Sequence, residues 1–456
     1  MSALALRKKS ELDMTEGSIL PLIISFSIPL LMGNLFQQLY NTVDTWVVGN
    51  YVGKNSFSAV GTLSSVLNMV ISFFVGFSSG ASVVISQYYG AKDSENVSRA
   101  THTFVALTII MCVLCTFGGL AFIPAVIKLL KSPAEVASEQ VIYMSIYFAG
   151  ISGLLIYNMG SAILRAIGNS TDPFIFLVVS AVLNIILDLV FVIAFKMGTA
   201  GVAYATILSQ FISAILCLFV LFRTKTAVKL HIKQIKLHKD ILSKIVKIGL
   251  PSALQIAITC FSNIFIQSFI NQFGSDVMGG WTAYIKVDQF LILPTQSISI
   301  AVQTFVGQNI GVMNIERAKQ GVKISNRVSM IFCAILAMPV MLLAGPIVKL
   351  FIGANEPQVV YYGRLILLWI TPWHVITVYN QIYAGALRGA GKSSIPMAAM
   401  LFSFVLFRQL YEIVISKYVN HVIPVAFGYP AGWILCSILL AFGYKHYFTE
   451  EKLNRV

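Results

Sequence analysis

Twelve long apolar runs, separated by short polar breaks, fill almost the whole chain. They cover 20–48, 57–86, 101–127, 138–166, 173–195 and 201–222, then 248–272, 279–309, 328–351, 358–387, 394–416 and 425–447. A hydrocarbon layer about 30 Å thick takes roughly 20 apolar residues of helix, and each run reaches that length. The breaks carry Gly, Pro, Asn or Lys, as in 49–56 and 196–201. Ten-residue alternating segments, the mark of a membrane barrel, are absent. Backbone in lipid must bond to itself, so the runs predict helices. The expected fold is an all-α polytopic membrane protein with twelve transmembrane helices.

Composition agrees and narrows the function. Of 456 residues, 57% are apolar and only 11% charged, with a mean hydropathy of +0.81. A soluble chain carries about a quarter charged residues. A water-soluble enzyme, a secreted disulfide scaffold and a disordered chain are therefore excluded. The net charge of +14 does not point to nucleic acid, because the basic residues lie between apolar runs. With the termini and even-numbered loops on one side, that side holds 23 of the 32 Lys and Arg, from Arg7, Lys8 and Lys9 to Arg455. The other side holds six, among them Lys128, Lys131 and Lys196. The positive-inside rule then predicts cytoplasmic termini in the plasma (inner) membrane. The first run extends past 25 residues with no small-residue cleavage site after it, which predicts an uncleaved helix. All six cysteines fall inside runs, where Cys112-x-x-Cys115 is read as packing. His374, in the tenth run, is read as a packed or hydrogen-bonded residue.

The chain also repeats itself. Leu164-Arg165-Ala-Ile-Gly168 recurs as Leu387-Arg388-Gly-Ala-Gly391, Gln87-x-x-Gly90 as Gln308-x-x-Gly311, and Ile28-Pro29 as Leu250-Pro251, all at offsets of 221 to 223. Landmarks at nearly one offset define two six-helix lobes, 1–222 and 248–456, joined by a basic linker at 223–247. An even helix count makes the lobes parallel, related by a pseudo-two-fold along the membrane normal. Repeats of this kind build secondary transporters with alternating access.

These landmarks resemble those of the multidrug and toxic compound extrusion (MATE) transporters along nearly the whole chain. The resemblance implies a bundle of two six-helix lobes that expels amphipathic, often cationic, organic compounds in exchange for H⁺ or Na⁺. It implies small-molecule substrates and membrane lipids as partners, no nucleic acid, no cofactor beyond the coupling ion, and a monomer. A lipid-linked oligosaccharide flippase of the same superfamily is the alternative; its cavity should be strongly cationic. No zinc-protease helix, nucleophile elbow or P-loop occurs, so no enzyme activity is expected.

Ionisable residues inside membrane helices are costly and therefore informative. The second half holds Lys286, Asp288, Arg408 and Glu412, which sum to zero. Arg408 and Glu412 are spaced i,i+4 and are expected to pair directly. The first half holds only Asp44 and Asp188, with no Lys or Arg at comparable depth. Two acids without a base must be neutralised by protons, a metal cation or a cationic ligand. Tyr40 lies four residues before Asp44, Asn184 four before Asp188, and Thr206 supplies a hydroxyl in the sixth run. In the branch similar to DNA-damage-inducible protein F, residues matching Tyr40, Asp44, Asn184, Asp188 and Thr206 form the cation site. The acid that other branches carry in the seventh helix is absent, with Asn263 and Gln267 in that region. Pro29, fifteen residues before Asp44, is a candidate point for the first helix to bend.

Overall fold

The structure is a computed structural model describing residues 12–52, 54–130, 132–352, 356–419 and 421–453. Arg7, Lys8, Lys9, Lys131 and Arg455, which count toward the charge asymmetry, lie outside these residues. Among the described residues no strand occurs. Twelve helical spans are long and apolar enough to cross a membrane: Ile19–Val52, Ala59–Gly90, Ser94–Leu130, Ala134–Ala166, Thr171–Ala194, Gly198–Arg223, Lys239–Asn271, Ser275–Gly311, Ile315–Leu342, Pro357–Gly389, Ser394–Tyr418 and Val422–Tyr447. Below they are the first to twelfth spans.

Several spans are less regular than an apolar run suggests. In the tenth, Pro372 removes a backbone donor, and the helix breaks into Pro357–Ile370, a 3₁₀ turn at Thr371–Trp373 and His374–Gly389. The fifth span turns into a π-helix at Leu189–Ala194, directly after Asp188. The eleventh does so at Leu401–Phe407, directly before Arg408. π turns inside helices concentrate at functional positions; these two abut a buried charge, and a third, Val48–Val52, ends the first span.

The chain divides into two compact units, Ile28–Lys247 and Met14–Ser27 with Ile248–Val456. This division differs from a cut at 222 in two places, each with a physical cause. Residues 223–247 pack onto the first unit: His231 N–H donates to His102 Nε2 at 2.9 Å, and Arg99 pairs with Asp240 at 2.9 Å. Residues 14–27 are held by the second unit, where Met14 N–H donates to Gln308 Oε1 and Asn309 Nδ2 to Met14 O, both at 3.0 Å. The first helix, Ile19–Val47, thus changes unit between Ser27 and Ile28, beside Pro29.

Small residues set the close approaches within each unit, as is usual where lipid offers no hydrophobic drive. In the first, a Cβ on Gly150 would meet Ile207 Cβ at 2.6 Å, so the fourth and sixth spans lie nearly backbone to backbone. In the second, Gly385 and Gly389 face Ser299 O and Gln303 O, where a Cβ would come within 2.6 and 2.5 Å. The repeat is visible in the backbone too. Gly168 and Gly391 both close a helix at positive φ, +85° and +73°, a conformation glycine adopts without strain. Asp93 caps the third span by accepting from Asn96 N–H at 3.0 Å, and its counterpart Asn314 caps the ninth by accepting from Arg317 N–H at 3.1 Å.

Candidate cation site

Within the first unit, four of the five predicted residues converge. The first span presents Tyr40 and Asp44 one turn apart, and the fifth presents Asn184 and Asp188 in the same way. Asp188 and Asn184 are fully buried. The Asp44 carboxyl is within hydrogen-bonding reach of the Asp188 carboxyl and the Tyr40 hydroxyl. With its amide oriented to satisfy both acids, Asn184 Nδ2 donates to Asp44 Oδ1 at 2.9 Å and to Asp188 Oδ2 at 3.2 Å. Asp188 Oδ1 is buried and has no hydrogen-bond partner among the described residues. Among the described residues, no Lys, Arg or His is among the groups acting on either carboxyl.

Thr206 stands one step back. Its hydroxyl donates to Val202 O at 2.9 Å and is in hydrogen-bonding reach of Tyr143. Tyr143 in turn is close enough to both acids to interact with them electrostatically. Tyr143 and Tyr147, stacked with ring centroids 6.1 Å apart, complete the wall, and Tyr147 reaches Gln210. Sequence reasoning missed these two tyrosines and Gln210. Their i,i+4 spacing in an apolar run was visible, but nothing in the chain said that this face meets Asp44.

Two carboxyl groups in contact cannot both carry an uncompensated charge. One must hold a proton, or the pair must share a cation. Among the described residues no three His, Cys, Asp or Glu side chains cluster. A metal ion here would therefore rest on two carboxylates supplemented by amide and phenol oxygens. Hard oxygen donors of that kind suit Na⁺ as well as a proton.

The second unit distributes its charges otherwise. Asp288 Oδ1 lies 2.6 Å from His374 Nε2 and accepts from Tyr284 Oη at 3.3 Å. His374 Nδ1 faces Thr371 O at 3.2 Å, so the 3₁₀ break at Pro372 orients the ring. The expected Arg408–Glu412 ion pair does not form. Arg408 Nη2 donates instead to Asn263 Oδ1 at 2.7 Å and to Ser262 Oγ at 3.3 Å, and its guanidinium lies 4.7 Å from the Tyr429 ring centroid. The planar fork finds oxygen and an aromatic face across the helix interface, leaving both Glu412 oxygens buried without a hydrogen-bond partner among the described residues. Lys286 is exposed and stands outside this cluster. The side chain that engages the Asp288 carboxyl across the helix interface is His374, not Lys286 or Arg408.

Comparison with known proteins settles the kinship. The model of one transporter family, MatE, matches twice, over 29–190 and 251–414. The chain belongs to the MatE family. The two matches begin at Pro29 and Pro251, the same prolines that open the internal repeat. Over 445 residues the chain is 29% identical to "Probable multidrug resistance protein YpnP" of Bacillus subtilis, covering 96% of this chain and 99% of that one. It is 28% identical to "Probable multidrug resistance protein YoeA" of the same organism, covering 94% and 93%. A crystal structure of MATE in complex with MaL6 superposes with a TM-score of 0.90 at 22% identity, over 97% of this chain and 99% of that one, which establishes the fold. This MatE protein is thus a multi-pass membrane protein of a transporter family whose relatives bear multidrug-resistance names.

Proposed function

We propose that this MatE protein is a secondary active multidrug efflux transporter, exporting amphipathic and often cationic organic compounds by alternating access in antiport with H⁺ or Na⁺. The observation that carries the reading is the Asp44–Asp188 contact, bridged by Asn184 and lacking a basic partner. Such a pair takes up a cation from one side of the membrane and surrenders it on the other. With the termini in the cytoplasm of the inner membrane, as the 23-to-6 charge asymmetry favours, the coupling cation moves inward. One charge crossing about 100 mV releases about 2.3 kcal/mol, which supports a gradient of an uncharged substrate of roughly fifty-fold; a monocationic substrate exchanged one for one is driven by the ion's concentration gradient alone. Pro29, two residues into the stretch that packs with the first unit, is where the first helix would bend as the Asp44 charge changes. The acids weigh against the flippase reading, which calls for a strongly cationic cavity to hold a pyrophosphate.

Proteoliposomes loaded with a fluorescent cationic dye test this. Proton and sodium gradients are imposed separately, and dye movement is followed for the wild type and for Asp188→Asn. A gradient of one of the two ions drives dye movement in the wild type and none in the variant. Equal dye movement in both proteins would remove the proposal.

A further inference from the structure

A second polar site, remote in sequence from the acids, opens in the second unit. Its cavity has a volume of about 260 Å³. The ninth span lines it with Lys319, Lys323 and Arg327, at i, i+4 and i+8, and with Asn326. The tenth span contributes Tyr379 and Tyr383, and the twelfth closes it with Tyr444, whose ring stacks on Tyr383 at 4.9 Å between centroids. Lys319 Nζ lies 3.9 Å from Glu316, at the limit of an ion pair. Lys323 and Arg327 form no ion pair among the described residues.

A basic stripe on a helix end is ordinarily a solvated face. Three features distinguish this one. Aromatic rings from two other helices turn the stripe into a walled cavity. Asn326 is only 8% exposed, and its Oδ1 has no hydrogen-bond partner among the described residues, a cost that a ligand donor removes. Arg327 is also the last charge before an apolar stretch, and the helix face runs on through Ile331, Ile335, Met338 and Leu342, which are 59%, 59%, 64% and 77% exposed. A polar pocket thus opens onto an apolar track along one helix. The cavity is smaller than the roughly 300–1,000 Å³ that drug-sized molecules occupy. Its lining calls for a phosphate ester carrying a neighbouring hydroxyl.

We propose that this cavity binds the head group of an anionic phospholipid, with the phosphate on Lys323 and Arg327, a head-group hydroxyl donating to Asn326, and an acyl chain along Ile331–Leu342. Basic pockets between helices at the leaflet surface hold such head groups, each Lys or Arg contributing about 1 kcal/mol. The shared chemistry is a phosphate ester, and the lipid is its source here, because only a lipid fills the apolar track.

The test uses the full chain, delipidated in detergent and titrated with phosphatidylglycerol or phosphatidylcholine, with bound lipid counted by native mass spectrometry. The wild type should prefer phosphatidylglycerol, and Lys323→Gln/Arg327→Gln should bind it about thirty-fold more weakly. Both side chains are exposed, so the variant should elute as the wild type does. Should it not, Asn326→Ala provides the second reading, with weaker phosphatidylglycerol binding expected because the head-group hydroxyl loses its acceptor. Equal affinity for the two lipids, or unchanged binding by the variant that folds, overturns the site. A parallel titration with inorganic phosphate and glycerol 3-phosphate separates the sources. Weak or no competition supports the lipid, and competition at the lipid's own affinity overturns it.

Discussion

The two units of this protein share a scaffold and differ in how their buried charges are balanced. In the first, Asp44 and Asp188 face each other across an asparagine, and among the described residues no base is among the groups acting on them. In the second, Asp288 holds His374, and Arg408 is taken by Asn263, Ser262 and the Tyr429 ring. The backbone devices are the same on both sides: a proline in the opening helix, a capping Asp or Asn, a glycine at positive φ after the Leu-Arg motif. Duplication preserved what folds the helices. The side chains that set local charge diverged, leaving one unit with an unbalanced acid pair and the other with partners for its acid and its base. Glu412 qualifies the contrast, because it is fully buried with no hydrogen bond of its own among the described residues, and Arg408 is the described cation near enough to offset its charge.

The largest expected effect breaks the comparison where it is sharpest. Asp188→Asn should reduce gradient-driven dye efflux in proteoliposomes to that of protein-free vesicles, whereas Glu412→Gln should retain it. Stability should move the opposite way. Arg408→Met removes a charged donor bonded to Asn263 and Ser262 and leaves Glu412 without a nearby cation, costing on the order of 3 kcal/mol. Its Tm in detergent should drop clearly, while that of Asp188→Asn holds or rises, because an amide at this position needs no proton or cation to neutralise it. Adding Glu412→Gln to Arg408→Met should restore part of the loss. A smaller effect is expected at Asp288. Its Asn replacement keeps a side-chain oxygen that accepts from Tyr284 and His374, so Asp288→Asn should cost about 1 kcal/mol by the same melting measurement.

The smallest effect concerns the duplicated caps. Hydrogen bonds from the Asn96 backbone and side chain hold the Asp93 carboxyl below its ordinary pKa. A lowered folded pKa means that the cap stabilises fully above the unfolded value of about 3.9 and is lost as pH falls through the folded one. Asp93→Asn turns this cap into a copy of Asn314. It should change stability at pH 7 by no more than about 0.5 kcal/mol and flatten the acid limb of the melting curve. An acid limb unchanged in the variant would show that Asp93 contributes nothing to it.

Much of this was legible in the sequence, for reasons that differ by feature. The twelve spans follow from apolar length alone, since lipid permits few backbone solutions. The acid cluster was legible because helical spacing fixes Tyr40 with Asp44 and Asn184 with Asp188, and because no base shares their depth. Spacing within one helix says nothing of which neighbour it meets, and that is where the reading fell short. Tyr143 and Tyr147 reach the acids only through the packing of the fourth span. Arg408 and Glu412 lie on one face of one helix, yet Asn263 and Ser262 of the seventh span take the guanidinium. His374 was read as packed or bonded, but its carboxylate partner is 86 positions away. The breaks at Pro372 and the π turns beside Asp188 and Arg408 were hidden inside continuous apolar runs.

The central claim is that the coupling cation resides on Asp44 and Asp188, and cation release tests it most directly. Purified protein in weakly buffered detergent is mixed with a transported cationic dye while proton and free sodium concentrations are recorded. Wild type and Glu412→Gln should release the coupling cation as dye binds, and Asp188→Asn should release none. Release that survives Asp188→Asn and disappears in Glu412→Gln would place the cation in the second unit and contradict the account.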